Sequence, residues 1–183
     1  MVVNEKGLLK AMKDAYKTDG YTVAVDEADL ILKTVPWTVV LHMEEVPSKV
    51  LALITEHLRK LPNTGTAYQV KKKETQTEMF HMVREEIMNF HTSEKPRRII
   101  RRTELTLGGF PLWQAATEKT VVKVYPDYED ILSIDNTVIR LVGDNILFAD
   151  DMTSRAYILC TPAKDAKQLE QLNHLSKIQW VAE

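Results

Sequence analysis

The chain has 183 residues, 44% of them hydrophobic and 27% charged, and its 24 basic and 26 acidic side chains leave a formal net charge of −2. This is the profile of a globular protein with enough chain for one ordinary core, not of a disordered segment, and its near neutrality excludes a whole-protein field that would drive it onto DNA or anionic lipid. Cys160 is the single cysteine, which excludes an intramolecular disulfide and paired-cysteine zinc sites.

The opening "MVVNEKGLLKAM" lacks the basic and then long apolar order of a secretory signal. The apolar tracts "VPWTVVL" and "VLALI" are far too short to span a bilayer. A cytoplasmic protein with no membrane partner is therefore expected. Asn4 can cap a first helix, with Leu8, Leu9, Met12, Ala15 and Tyr16 on one stripe and Gly20 ending it. "YTVAV", "LILKT" and "WTVVLHM" read as three strands, separated by a turn at Asp26–Asp29 and a break at Pro36. Pro47 opens a second helix in which Val50, Leu51, Leu53, Ile54, Leu58 and Leu61 leave little polar face, and "PNTG" stops it. "TAYQVKKKE" reads as a strand. Thr75 and Glu78 have the spacing of a capping box, which predicts a helix running to about His91 with Met79, Phe80, Val83, Ile87 and Phe90 facing the core. "TELTL" and "TVVKVY" are strands on either side of a turn at Gly108–Gly109.

The last third repeats the grammar of the first. "TVIRLV", the turn "GDN", "ILFAD" and "RAYILC" give three strands, after which Thr161 and Pro162 are expected to open a helix. Residues 21–61 and 138–175 thus share a β-β-β-α order, a pattern that a pseudo-repeat would produce. The expected fold class is α+β, with antiparallel β-meanders packed against about four helices in a single domain, 1–183.

The most unusual stretch is "EKPRRIIRRTELTLGGFPLW", residues 94–113. As a helix it would sort Arg97, Arg98, Arg101 and Arg102 onto one face; as a strand it would mix arginine and isoleucine on both. The strand reading is preferred because it runs on into "TELTL". Arginine forks suit phosphate and carboxylate alike, and Lys71, Lys72 and Lys73 would add positive charge if their strand were a neighbour. No helix-turn-helix, RNA-recognition or zinc-finger pattern accompanies the arginines. From Asp127 to Asp151 the acids Asp127, Glu129, Asp130, Asp135, Asp144, Asp150 and Asp151 face one base, Arg140. A basic middle and an acidic later segment can pair within the chain or between two copies.

Cys160 is the sharpest enzymatic candidate, because a helix beginning at Thr161–Pro162 would favour its thiolate. The plain alternative is a small core residue continuing the alternation of "YILC". Glu78, His81 and Glu85 fall on one helix flank, and "EMFH" matches Glu-x-x-His, but no second copy exists to complete a di-metal set. "HMEE" would place His42 and Glu44 on one strand face. Asp150–Asp151 lacks the calcium-loop pattern, and "LGGF" is not a phosphate loop. No metal site and no cofactor is implied, and Trp37, Trp113 and Trp180 read as core or interface anchors. The expected function is a non-catalytic interaction protein, self-associating or meeting a protein partner through charge-complementary surfaces. A nucleic-acid or polyanion module using the Arg97–Arg102 strip ranks second, and an enzyme using Cys160 or a His/Glu pair third.

Overall fold

A computed structural model of the chain describes residues 1–92, 95–117, 119–135 and 137–180, the side chains of residues 90–92 excepted. Helix α1 (Glu5–Lys17) is capped as its sequence predicts, the Asn4 side chain accepting from the Lys6 N–H at 3.1 Å. It ends before Gly20, whose φ of +86° and position against the Val70 carbonyl leave no room for a Cβ. Strands β1 (Tyr21–Asp26), β2 (Asp29–Lys33) and β3 (Trp37–His42) form the first meander. Helix α2 (Ser48–Leu58) follows Pro47 and buries Val50, Leu53, Ile54 and Leu58. Arg59, in the left-handed region, ends it, so Leu61 lies beyond the helix and is partly exposed.

The predicted capping box at Thr75 is a correction. Strand β4 (Thr66–Lys71) turns through Lys72 and Lys73 into β5 (Glu74–Glu78), with Thr75 opposite Val70, and helix α3 begins only at Phe80 and runs to Thr92. Hairpin pairing, backed by the β-propensity of two threonines, wins over the local capping pattern. Val83 and Ile87 are buried from α3 as expected, whereas Met79 is exposed and the Phe90 side chain lies outside the described residues.

Strand β6 (Arg97–Leu107) is a single eleven-residue strand, irregular between Arg102 and Thr106. Strand β7 (Phe110–Ala115), which the sequence reading did not assign, holds Pro111; the proline sits beside the irregularity, and its carbonyl still accepts from the Val124 N–H. Then come β8 (Val121–Lys123), the short helix α4 (Pro126–Glu129), and the second meander of β9 (Arg140–Val142), β10 (Ile146–Asp150) and β11 (Ser154–Leu159), followed by helix α5 (Ala166–Leu175).

The eleven strands among the described residues join one antiparallel sheet in the order β5-β4-β1-β2-β3-β11-β10-β9-β6-β7-β8, so the fold is α+β as expected. The two meanders meet where β3 pairs with β11, Trp37 opposite Ile158 and Leu41 opposite Ser154. Their following helices differ: α2 is embedded in the main core, while α5 buries no residue fully and lies against β8. The main core lies on one face, where Leu8 and Met12 of α1 and Ile54 of α2 meet Val23, Leu32, Val39, Leu147 and Trp113. Val83 and Ile87 of α3 cover Ala24, Ile31, Val40 and Phe148 on the other. Each fully buried aliphatic side chain contributes about 1.5–3 kcal/mol. None of the described helices is long and apolar enough to cross a membrane.

Candidate functional site

Strand alternation divides the arginine strip between the two faces of the sheet. Arg97 stands 5.2 Å from the Phe148 ring on the α3 face; Arg101, opposite Gln114, shares its parity. Arg98 and Arg102 share the parity of the buried Ile100. Arg98 meets Asp144 at 2.7 Å and also donates to the Gly143 carbonyl. Arg102 Nε donates to Glu129 Oε1 at 2.7 Å, and Trp113 Nε1 donates to the same oxygen at 2.9 Å. Asp144 and Glu129 belong to the acidic segment. Of its other members, Asp127 and Asp130 meet Lys10 at 2.5 and 3.6 Å, Asp150 meets Arg140 at 2.9 Å, and Asp151 meets the N-terminal ammonium at 3.0 Å. Two of the four arginines therefore pair with two of the segregated acids inside one chain. Lys71, Lys72 and Lys73 are not neighbours of the arginines: six strands separate β4 from β6, roughly 30 Å at the usual strand spacing.

Cys160 is 6% exposed, and the helix expected at Thr161 is absent. Thr161 instead bridges to Lys123, and α5 starts at Ala166 with Asp165 as its cap. Without a helix terminus beside it, burial alone dominates and pushes the thiol up to about 12. Nor do Glu78 and His81 share a helix: Glu78 ends β5, where it accepts from Thr22 Oγ1 at 2.8 Å. The strand reading of "HMEE" fails as well, since Met43–Glu45 is a 3-10 turn. Among the described residues no group of three His, Cys, Asp or Glu side chains could hold a metal ion. Trp37 and Trp113 are core residues, while Trp180 is partly exposed and donates from Nε1 to the Leu175 carbonyl.

The structure brings another set of residues together. At one end of the sheet, where β1 begins and β2 turns into β3, a cleft of about 550 Å³ opens, within the roughly 300–1,000 Å³ of small-molecule sites. Its floor is Tyr21 and Trp37, both almost fully buried. One wall is the C-terminal half of α1, with Asp14 and Ala15, and the turn after it, with Asp19; another is Tyr125, Asp127 and Tyr128 of α4 and its cap. Glu78 and Glu86 close the α3 side, and Val35, 91% exposed, stands at the β2–β3 turn. Pro126 at the first position starts α4 and places Tyr125 and Tyr128 side by side, ring centroids 5.0 Å apart. Gly7 lets α1 approach: a Cβ there would lie 1.8 Å from the Asp130 carbonyl oxygen. Lys10–Asp127 then ties the two helices.

The lining carries five carboxylates, Asp14, Asp19, Glu78, Glu86 and Asp127, against one base, Lys33, which pairs with Glu86. Burial, then Tyr125, Asp127 and Asp19, raise the Tyr128 phenol above its ordinary value. Sequence reasoning weighed none of Asp14, Asp19, Tyr125 and Tyr128 as site residues. The visible signal was "YPDYED", a proline-started turn with tyrosines three apart; what lies opposite it is set by the chain's tertiary path. Comparison with models of protein families, with curated proteins and with solved structures finds no match to this chain.

Proposed function

We propose that this chain is a non-catalytic binding protein whose ligand sits in the cleft at the end of the sheet. The observation that carries this is the cleft itself, a concave site with an aromatic floor and wall and a few polar groups converging on it. Its lining includes no histidine and no cysteine, the side chains most often used for proton transfer and nucleophilic attack near neutral pH. The reading includes a cytoplasmic setting, in keeping with a lone, buried thiol. The in-chain partners of Asp144, Glu129, Asp150 and Asp127 remove the support that charge segregation offered for self-association. They likewise engage Arg98 and Arg102, half of the strip on which a polyanion site would rest.

Native mass spectrometry of the purified protein, beside its denatured mass, tests the reading. Ala15→Trp and Val35→Trp fill the cleft from opposite walls, the second from a position that touches no core. The expected result is an adduct retained by the wild type, released on denaturation and lost in both variants. An adduct held equally by all three proteins would remove the cleft as the site.

A further inference from the structure

The sign of the charge around the cleft narrows its ligand. Lys10 and Lys17 reach Asp127 and Asp14 from outside, and Lys33 holds Glu86. Asp19 and Glu78 keep no ion-pair partner among the described residues. An anion entering here would meet uncompensated carboxylates at close range, whereas a cation would offset them. The two tyrosines beside Asp19 add the electron-rich ring surfaces that attract ammonium and guanidinium groups. The buried indole and phenol beneath are apolar enough to take a hydrocarbon stem.

Resting on the binding reading above, we infer that the ligand of this cleft is an organic cation on an apolar stem, an alkylammonium or guanidinium whose charge lies among Asp19, Tyr125 and Tyr128. Two sources carry that chemistry: a free polyamine and a basic side chain presented by a peptide. Both are held by the same groups, so both lose affinity when those groups are changed.

The test is isothermal titration calorimetry of the full chain at low ionic strength, where exposed charges are least screened. The probes are spermidine, a capped Gly-Arg-Gly peptide, neutral 1,6-hexanediol and anionic adipate. The variants are Asp19→Asn and Tyr125→Ala, both at exposed positions, with unchanged melting temperature as the folding check. A cationic probe should bind the wild type, with affinity about fivefold weaker in each variant. Binding of spermidine alone identifies a free polyamine, and of the peptide alone a partner's side chain. Cation binding that ignores both substitutions overturns the inference. If the diol or adipate binds, is blocked by Val35→Trp, and the cations do not bind, the inference falls while the cleft stands as a site. If no probe binds and native mass spectrometry retains nothing, both readings fall.

Discussion

His57 shows how much a single side chain depends on its surroundings. Its ring stacks on Tyr16 with centroids 3.7 Å apart and planes 6° from parallel, and its Nδ1 lies 3.0 Å from the Tyr21 hydroxyl. Burial raises the Tyr21 phenol, so the hydroxyl keeps its proton and shares a hydrogen bond with the imidazole. Burial is also the main cause that lowers the His57 pKa from 6.5, with Glu56 opposing and Lys13 assisting. A folded-state value below the unfolded one means that this contribution is complete above about pH 6.5 and is lost as the pH falls, because the unfolded chain takes up the proton first. Thermal unfolding across pH 8 to 5 should therefore fall off more steeply for the wild type than for His57→Gln, and at pH 8 the variant should be less stable by about 1 kcal/mol through lost stacking. Equal slopes would remove His57 as the cause. The sequence revealed His57 only as a histidine on a buried helix. Its partners, Tyr16 and Tyr21, come from α1 and β1, and no local pattern links them. The acids of residues 127–151 were legible as charge, and their partners Lys10, Arg98 and Arg102 were not, for the same reason.

At the level of elements, legibility followed periodicity. The stripe of α1, the apolar run of α2 and the continuous apolar, β-branched runs of the meander strands, buried on both faces in β1 to β3, were read correctly. Elements with polar or proline-bearing sequences were missed: β5 is exposed along most of its length, β7 holds Pro111, and α4 is one turn long. Helix α5 was placed too early, because Thr161–Pro162 resembles a helix start; Asp165 instead accepts from the Gln168 N–H. Its dock is polar, with the buried Lys123 donating to Gln168 Oε1 at 2.7 Å. The contact of α1 with α4 is the element-scale feature that shapes the cleft, and Gly7 permits it. Gly7→Ala gains helix propensity but drives a methyl group into the Asp130 carbonyl, so the helices must part. The net cost should be about 3 kcal/mol, a fall in Tm of roughly 6–12 °C for a chain of this size. A scan showing no loss would mean that α1 and α4 are not in close contact.

Over the whole molecule, the sheet has two ends of different kinds. At one end β8 is short and lies beside α5; at the other β5 presents an outer edge with no strand partner among the described residues. Such an edge is a template for pairing with another chain unless charge discourages it, and Glu74 with the lysines of the preceding turn supplies that charge. Glu74→Val combined with Gln76→Val should convert residues 74–77 of β5 into an uncharged run of β-formers. Light scattering over a concentration series should then show association well above that of the wild type. An unchanged mass would mean that something other than charge protects the edge.

The pairing of β3 with β11 also imposes an order in time. A chain emerging from a ribosome presents Trp37–His42 roughly a hundred residues before Ser154–Leu159 has been made. At about 5–20 residues per second that interval lasts roughly 5–20 s. Throughout it, the nascent protein carries an apolar strand with one side open, which the finished sheet hides at its centre. Its early life is thus spent in the state most exposed to mispairing.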